Sequence, residues 1–409
     1  MAVAPGSGSP PLQGVRVVAV EQAVAVPLCT RHLAELGAEV IKIERPGRGD
    51  FARHYDTAVG GQSTHFVWLN HGKRSLAVDL RSTEGREVLL ALLDRADVFV
   101  SNLAPGSIER IIDPETLERR NPRLIHCLID GYGTEGPYRH RKAYDLLVQG
   151  EAGATASTGT AEQPAKPGIS LADLGAGTYA LAAINAALVA RATSGRGQRI
   201  HVALFDVVAE WIMPLLLAER YGGGAPPPAG THHASIVPYG AFQTADGGLI
   251  NVAVQNEDQW ADLCRKVLDA PELLKDQRFA SNEERLSNRD ACLREVGARL
   301  EQLHEPKLIE ALDGAGIPWG RLNDLDAVVD HPQLASRDRW VPVDLPEGAH
   351  AETLASPITG FPTTGLHRTV PPLGRDTAEI LAEIGYDDEA IEDLAVRAVV
   401  DIGSGVNAT

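Results

Sequence analysis

Short apolar runs rich in β-branched residues alternate with amphipathic stretches through the first half of the chain. A long alanine-rich helix is predicted from Ala172 to Thr193, because it ends at a glycine next to arginines, as helix C-termini commonly do. A further helix is predicted from Asp206 to Tyr221. The apolar runs predict strands at 15–20, 39–44, 75–80, 97–102, 123–131 and 198–204. Strands separated by helices are typical of an α/β fold with a parallel, doubly wound sheet.

Glycine and proline interrupt this alternation at GGGAPPPAG, residues 222–230. Beyond it, YGAFQTADGGLINVAVQ predicts a β-hairpin over 239–255. We therefore predict a large domain, a smaller α+β domain and a returning segment. The predicted boundaries are a flexible tail over 1–13, a large domain over 14–221, a linker over 222–238, a small domain over 239–330, a return linker with the C-terminal part of the large domain over 331–400, and a flexible tail over 401–409.

Composition and charge narrow the possible partners. The 409 residues carry a net charge of -17, which opposes binding to nucleic acid or anionic membranes, because the summed field repels polyanions. Four scattered cysteines without a C-x-x-C pair predict free thiols, and we expect no bound metal. The N-terminus lacks the features of a signal peptide, and the most apolar run, 211–218, is too short to span a bilayer. We expect a cytoplasmic protein.

Several common catalytic motifs are absent from the sequence. The first predicted strand is not followed by a glycine fingerprint for a dinucleotide, and no GxxxxGK[ST], G-x-S-x-G or H-E-x-x-H occurs. These absences argue against a dehydrogenase, a P-loop NTPase, a serine hydrolase of that type and a zinc protease.

Basic residues recur near predicted strand ends, which is where ligands bind in open α/β sheets. A ligand with several phosphates would need such scattered positive charges, and guanidinium groups suit phosphate well. A solvated surface with charged helix ends explains the same pattern, so both interpretations stay open. The basic residues are Arg45, Arg48, Arg53, His54, Lys73, Arg74, Arg110, Arg139, Arg141 and Lys142.

A series of segments over about residues 11–385 resembles the class III CoA-transferases, the family of formyl-CoA and carnitine CoA-transferases. The segments are PLQGVRVV, LGAEVIKIERPGRGD, LNHGKRS, NLAPGS, NPRLI, DGYGTEGPYRHRKAYD, ISLADLGAGTYA and GRGQRIHVAL. The resemblance implies a Rossmann-like CoA-binding domain, a small domain and an interlocked homodimer. It also implies acyl-CoA and a carboxylic acid as substrates, with no permanently bound cofactor.

The resemblance places the family's nucleophilic aspartate at Asp173, in ISLADLGAG. From the residues alone, Asp173 is a helix N-cap, and a helix N-terminus favours a charged carboxylate. Gly175 and Gly177 would let a thioester approach the backbone or let helices pack closely.

The resemblance also implies positions that contact coenzyme A. These are Val24, Arg45, Leu69, Asn102, Leu103, Arg110 and Lys142. Gln22 is expected to line the thioester pocket. Formyl-CoA transferases carry glutamine where Val24 stands, which speaks against oxalate as the acid.

Two other activities remain possible at this point. Related racemases pair the aspartate with a histidine where this chain has Tyr144, directly before Asp145. A phenol is a poor base near neutral pH, so we expect Tyr144 to contact substrate rather than to move protons. A non-catalytic CoA-binding subunit is the second alternative.

The loop GTHHASIVPYGAF, residues 230–242, resembles that of transferases acting on succinyl-CoA and dicarboxylates. His232, His233 and Ser235 are candidates to bind a distal carboxylate, as hydrogen-bond donors or as imidazolium. We therefore expect succinyl-CoA as donor and a C4–C5 dicarboxylate, such as itaconate, glutarate, citramalate or mesaconate, as acceptor.

Overall fold

The computed structural model describes residues 8–363 and 365–403. Contacts along the chain divide these residues into two units. The first contains the chain through Ala152, then Gly168–Trp211 and the chain from Arg337 onward. The second contains Gly153–Pro167 and Ile212–Ser336. The second unit thus includes 153–167 and 212–221, which the predicted boundaries had assigned to the large domain.

The described residues form the following elements. The strands are β1 (Arg16–Val20), β2 (Glu39–Glu44), β3 (Arg74–Val78), β4 (Val98–Ser101), β5 (Ile125–Asp130), β6 (Arg199–Ala203), β7 (Tyr239–Gln243), β8 (Leu249–Ala253), β9 (Trp319–Arg321), β10 (Trp340–Asp344), β11 (His350–Leu354) and β12 (Val400–Asp401). The α-helices are α1 (Ala25–Glu35), α2 (Thr64–Asn70), α3 (Thr83–Leu93), α4 (Ser107–Ile111), α5 (Pro114–Arg120), α6 (Asp145–Glu151), α7 (Leu171–Ser194), α8 (Leu204–Trp211), α9 (Met213–Tyr221), α10 (Glu257–Asp262), α11 (Asn282–Ser287), α12 (Arg289–Leu300), α13 (Glu305–Ala315), α14 (Leu325–Val329), α15 (Pro332–Ala335), α16 (Thr377–Glu383) and α17 (Asp388–Val396).

The first unit is built on a seven-stranded sheet in the order β12-β3-β2-β1-β4-β5-β6. Six of its strands are parallel, and β12 runs antiparallel to β3 at one edge. The order 3-2-1-4-5-6 is that of doubly wound folds, whose strand order reverses between β1 and β4 and opens a crevice there. The predicted α/β class with a large parallel sheet is confirmed, whereas β12 was not predicted.

Helix α7 is the longest helix of the described residues, with 24 residues. A Cβ at Gly175 would lie 2.5 Å from Cγ1 of Val207, and one at Gly177 would lie 2.4 Å from the Ala25 carbonyl oxygen. Both glycines therefore serve close packing against α8 and α1, and the hypothesis that they admit a thioester is wrong. By length and composition α7 would qualify as a membrane span, but a buried core helix meets the same criterion.

The second unit has its own antiparallel sheet, β7-β8-β9. The predicted hairpin is confirmed, with Tyr239 opposite Ala253 and Gln243 opposite Leu249. Its separate hydrophobic core includes Phe242, Ile250, Trp260, Phe279, Val296 and Leu308. The predicted helix from Asp206 to Tyr221 is instead two helices, α8 and α9, which belong to different units.

The predicted terminal tails lie partly outside the described residues, at 1–7 and 404–409. Leu12 is buried and its N–H donates to the Leu36 carbonyl at 2.9 Å. Asp401 pairs with Ala77 in the sheet. The first unit therefore includes residues that we had assigned to the tails.

Candidate active site

The crevice beside β1 and β4 holds a cavity of about 230 Å³. It is formed by the chain that follows β1, β4 and β5 and by the first turn of α7. Six residues proposed from the sequence line it, namely Gln22, Asn102, Leu103, Lys142, Tyr144 and Asp173. The fold therefore brings residues that are far apart in sequence to one crevice.

Asp173 lies inside the first turn of α7 and not before it. The N-cap residue is Ser170, so the interpretation of Asp173 as an N-cap is wrong. The capping acceptor is Asp145, whose Oδ1 accepts the N–H groups of Ala172 at 2.8 Å and of Asp173 at 3.2 Å. Gln149 donates to the other oxygen of Asp145 at 2.5 Å. Asp145 thus accepts the N–H groups at the start of α7, so the Asp173 side chain is not needed for capping and can face the cavity.

The electrostatics of Asp173 differ from those expected of a residue at a helix N-terminus. Burial, together with the smaller effect of the nearby charge of Asp145, raises the pKa of Asp173 to about 7. No hydrogen bond from the described residues reaches the Asp173 carboxylate. We had expected the helix to favour the charged form, but desolvation and a like charge outweigh that effect. Asp173 is therefore an unusually basic carboxylate, and none of the described residues donates a hydrogen bond to it.

We expect any reaction at Asp173 to show an acidic limb near pH 7. The charged carboxylate is the nucleophilic form, so log kcat should fall with a slope of about one below the pKa. Asp145→Asn keeps an oxygen acceptor for α7 but removes the like charge, so the midpoint should move to lower pH. The measurement is kcat against pH for wild type and variant.

Asp130→Asn is the matched control, because Asp130 lines the same cavity but is engaged with His201, at 2.9 Å. The midpoint of its kcat–pH profile should equal that of wild type. Equal midpoints for wild type and Asp145→Asn would contradict the electrostatic argument.

The loop between β1 and α1 is held from two sides. The Asn102 side-chain amide donates to the Gln22 carbonyl at 2.9 Å and accepts the Gln22 N–H at 3.0 Å. The Ala23 N–H donates to Asp50 Oδ1 at 3.1 Å. Asn102 thus has a structural task in the crevice, since it ties the end of β4 to the loop that follows β1.

A second cavity, of about 410 Å³, adjoins the first and shares Gln22, Leu103 and Ala104 with it. Four arginines line this second cavity, namely Arg45, Arg81, Arg86 and Arg110. Arg110 donates to Ser107 Oγ at 3.0 Å, which leaves most of its donors free. Guanidinium groups gathered in one concave site are suited to a phosphate-bearing ligand.

We did not predict from the sequence that Arg81 and Arg86 line a cavity. They follow β3 in the segment LRSTEGR, at the edge where Arg45 follows β2. Arg81 pairs with Asp79, while Arg86 donates to the backbone carbonyls of Leu80 at 3.2 Å and of Arg81 at 3.4 Å. The rule used for Arg45, basic residues at the carboxyl end of a parallel strand, would have found them.

Three other basic residues are already paired with carboxylates of the chain. Arg53, Lys73 and Arg74 each form an ion pair with a glutamate, and the Lys73 side chain is fully buried. Their partners are Glu44, Glu21 and Glu39, respectively. The hypothesis that these three bind ligand phosphates is wrong, because carboxylates of the chain already compensate their charges.

Val24 and Leu69 line neither cavity. They are buried, with 4% and 0% of their surface exposed, in an apolar cluster with Leu28. Their side chains therefore support the packing of α1 and α2, and a contact with coenzyme A at these positions would involve the backbone.

The three loop residues His232, His233 and Ser235 lie in the second unit. His233 stacks on Tyr239 with ring centroids 5.2 Å apart, and its Nδ1 accepts the Ser235 N–H at 3.2 Å. Burial lowers the pKa of His232, and the charge of Arg289 lowers it further. The lowered pKa favours the neutral form of His232, which can donate a hydrogen bond to a carboxylate, over the imidazolium form.

The sequence and the fold of this chain are similar to those of known proteins. The family described as CoA-transferase family III matches residues 12–377. An acyl-CoA transferase of Fusarium pseudograminearum is 36% identical, and the alignment covers 93% of this chain and 86% of that protein. The human succinyl-CoA:glutarate CoA-transferase is 33% identical over 96% of this chain and 90% of its own. A CaiB/BaiF family protein from Brucella suis has a solved structure that superposes with a TM-score of 0.80 at 34% identity, covering 92% of this chain and 100% of its own.

Proposed function

Because this chain belongs to CoA-transferase family III, we propose that it transfers coenzyme A from succinyl-CoA to a C4–C5 dicarboxylate through covalent intermediates on Asp173. The observation that carries this proposal is the position of Asp173 in a cavity that adjoins an arginine-lined one. Transferase activity on acyl-CoA follows from the family, as the sequence had indicated. The acid pair and the role of Asp173 are the parts that we propose.

The two cavities match the two ends of coenzyme A. The phosphates would bind among Arg45, Arg86 and Arg110, whereas the charge of Arg81 is already compensated by Asp79. The thioester would then reach Asp173 past the shared residues Gln22 and Leu103. Helix α1 begins at Ala25 in the wall of the first cavity, so the N–H groups of Ala25 and Val26, which have no acceptor among the described residues, are available to stabilise charge on a thioester oxygen.

The chemistry proceeds by four acyl substitutions. The Asp173 carboxylate attacks the donor thioester carbon, and the C–S bond breaks to give an acyl-aspartyl anhydride and CoA thiolate. The thiolate attacks the aspartyl carbonyl, which releases the donor acid and leaves an aspartyl-CoA thioester. The acceptor carboxylate displaces this thiolate to form a second anhydride, and the thiolate then takes the acceptor acyl group and frees Asp173. The steps balance without ATP, metal or redox cofactor.

The raised pKa of Asp173 supports this role. A more basic carboxylate is the better nucleophile once it is ionised, and a pKa of about 7 leaves a large share ionised near neutral pH. Asp173 is only partly exposed in the cavity wall, which limits the access of water that would otherwise hydrolyse an anhydride. Tyr144 stands where racemases carry a histidine, and its largely exposed ring lines the cavity wall, where it can contact substrate.

The choice of acids rests on two observations. The relative from Homo sapiens is named a succinyl-CoA:glutarate CoA-transferase, and the loop with His232 and His233 resembles the loop of that subgroup. We expect glutarate, itaconate, citramalate or mesaconate to accept coenzyme A from succinyl-CoA faster than acetate or butyrate by at least about tenfold in kcat/KM, the value of one well-made polar contact.

A screen of these acids against succinyl-CoA, read by mass spectrometry of the acyl-CoA products, tests the acid choice. Oxalate is the matched short dicarboxylate, and we expect it to be a poor acceptor. Faster transfer to monocarboxylates than to any C4–C5 dicarboxylate would contradict the acid choice and leave transferase activity itself intact.

We also propose that the chain forms an interlocked homodimer, as its family resemblance implies. Support comes from apolar side chains that the first unit leaves exposed around α6 and α7, since monomeric proteins rarely expose so many together. These are Leu146, Leu147, Ile169, Tyr179 and Val189.

A further inference from the structure

Ala23 has a backbone conformation that alanine rarely adopts. Its φ is 60°, in the left-handed region, where a residue other than glycine costs about 1 kcal/mol or more. Ala23 lies in the wall of the first cavity, directly before Val24, the N-cap residue of α1. A strained conformation at such a place persists only when neighbouring groups hold it, so the groups that hold Ala23 are informative.

Asn102 holds the Gln22 carbonyl of the peptide that leads into Ala23, and the group that holds the Ala23 N–H is Asp50. Its Oδ1 accepts the Ala23 N–H at 3.1 Å and the Ala52 N–H at 2.9 Å. Asp50 is only 4% exposed, and its own N–H donates to Glu44 Oε1 at 3.0 Å. A buried acceptor on the loop after β2 therefore fixes a turn that belongs to the loop after β1.

Asp50 is in turn fixed by a buried charge network beneath the loop. Lys42 Nζ donates to Asp50 Oδ2 at 2.8 Å and to Glu21 Oε1 at 3.3 Å, and Lys73 Nζ reaches the same Glu21 oxygen at 2.7 Å. All four side chains are 0% exposed. Apolar residues of the same volume often give equal or greater stability than buried ion pairs, so stability alone does not account for this network.

We propose that Asp50 is a positioning residue for transfer at Asp173, acting through the left-handed turn at Ala23. The turn sets where the chain leaves β1 and where α1 begins, and Ala25 and Ala23 both face the cavity that contains Asp173. Misplacing such a wall by about 1 Å is enough to cost up to roughly 100-fold in rate, because the thioester must meet the nucleophile at a set distance. This inference rests on the transfer reaction proposed above.

Asp50→Ala removes the acceptor, and we expect kcat to fall at least about tenfold while KM for acyl-CoA stays within about threefold. Asp50 also lines the second cavity, but an anionic carboxylate is not a phosphate ligand, so its loss should leave the binding of coenzyme A, and with it KM, nearly unchanged. Adding Ala23→Gly should restore kcat at least about fivefold, since glycine adopts a positive φ without the Cβ penalty. Ala398→Gly is the matched control, because Ala398 is also left-handed, with φ 54°, and lies in neither cavity, and it should restore nothing.

Asp50→Asn separates the hydrogen bond from the ion pair. The amide oxygen can still accept the Ala23 N–H, while the charge facing Lys42 is lost. We expect a lower melting temperature but kcat within about threefold of wild type. A fall in kcat as deep as that of Asp50→Ala would show that the ion pair matters instead, and would overturn the proposal.

A final pair of variants keeps Asp50 intact and covers the case in which Asp50→Ala does not fold. Ala23→Val places a β-branched side chain in the left-handed region and should lower kcat at least about tenfold, whereas the equally strained Ala398→Val should not. All rates are taken per folded protein with succinyl-CoA and glutarate, or with whichever acid pair of the screen wild type turns over fastest. A wrong acid pair therefore does not affect this test, but equal effects at positions 23 and 398 would refute the positioning role.

Discussion

Replacing Asp173 by alanine or asparagine is expected to lower CoA transfer by about 10⁴-fold or more, the loss seen when a covalent nucleophile is removed. The acyl group has no other equally placed acceptor, because Asp145 is occupied in capping α7 and Asp130 is engaged with His201. The measurement is succinyl transfer from succinyl-CoA to glutarate, followed by mass spectrometry over hours so that slow turnover is detected.

The same variants should not unfold the protein. The pKa of Asp173 in the fold, about 7, lies above its ordinary value of 3.8, so ionisation is disfavoured in the folded state. The folded chain therefore binds its proton more tightly than the unfolded chain, and stability contributed by this group falls as pH rises from about 4 to 7. At pH 8 the melting temperature of Asp173→Asn should equal or exceed that of wild type, while below about pH 4 the two should converge.

Trapping locates the nucleophile independently of rates. Hydroxylamine added during turnover converts an aspartyl thioester into a hydroxamate, which peptide mass spectrometry can locate. The adduct is expected on Asp173, within the α7 peptide, and should be absent from Asp173→Asn. An adduct on Asp145 or Asp130 in the wild-type chain would reassign the covalent step to another carboxylate of the same cavity.

The large sheet and its crevice were predictable because most of its strands are short runs rich in β-branched residues, and β1 to β4 are buried on both faces. Once six strands are placed, the basic residues after β2 and β4, such as Arg45 and Arg110, fall at one edge. Strand β12 was not predictable in this way, because Val400 and Asp401 are too short a run to show a period. The break between α8 and α9 did have a local signal, because Pro214 lies in the first turn of α9, where proline is tolerated, and proline inside a continuous helix would interrupt it.

Whether a given charged residue lines a cavity or pairs with another residue was harder to predict than the fold. Arg45 and Arg53 stand in the same segment, yet Arg45 lines a cavity while Arg53 is paired with Glu44. Likewise, the residue that caps α7 and raises the pKa of Asp173 is 28 positions earlier, at Asp145. Neither outcome has a local signal, because each partner comes from another element of the fold.

Replacing Arg45 or Arg110 by alanine is expected to lower kcat/KM for succinyl-CoA by roughly ten- to hundredfold, because a hydrogen bond to a charged group contributes about 1.5–3 kcal/mol. The loss should appear mainly in KM, since the phosphates lie away from the reacting carbon and their contacts are the same in ground and transition states. Arg48→Ala is the matched control, because it removes the same charge from the same exposed loop but does not line the cavity.

A truncated donor makes the arginine test specific. Succinyl-pantetheine carries the thioester but no phosphate, so wild type should prefer succinyl-CoA over it by the combined contribution of the arginine cavity. This preference should shrink in Arg45→Ala and Arg110→Ala and remain in Arg48→Ala, because only the first two remove a phosphate partner. Equal losses with both donors would mean that these arginines support the fold of the crevice and do not bind phosphate, and the second cavity would then no longer support the proposed path of coenzyme A to Asp173.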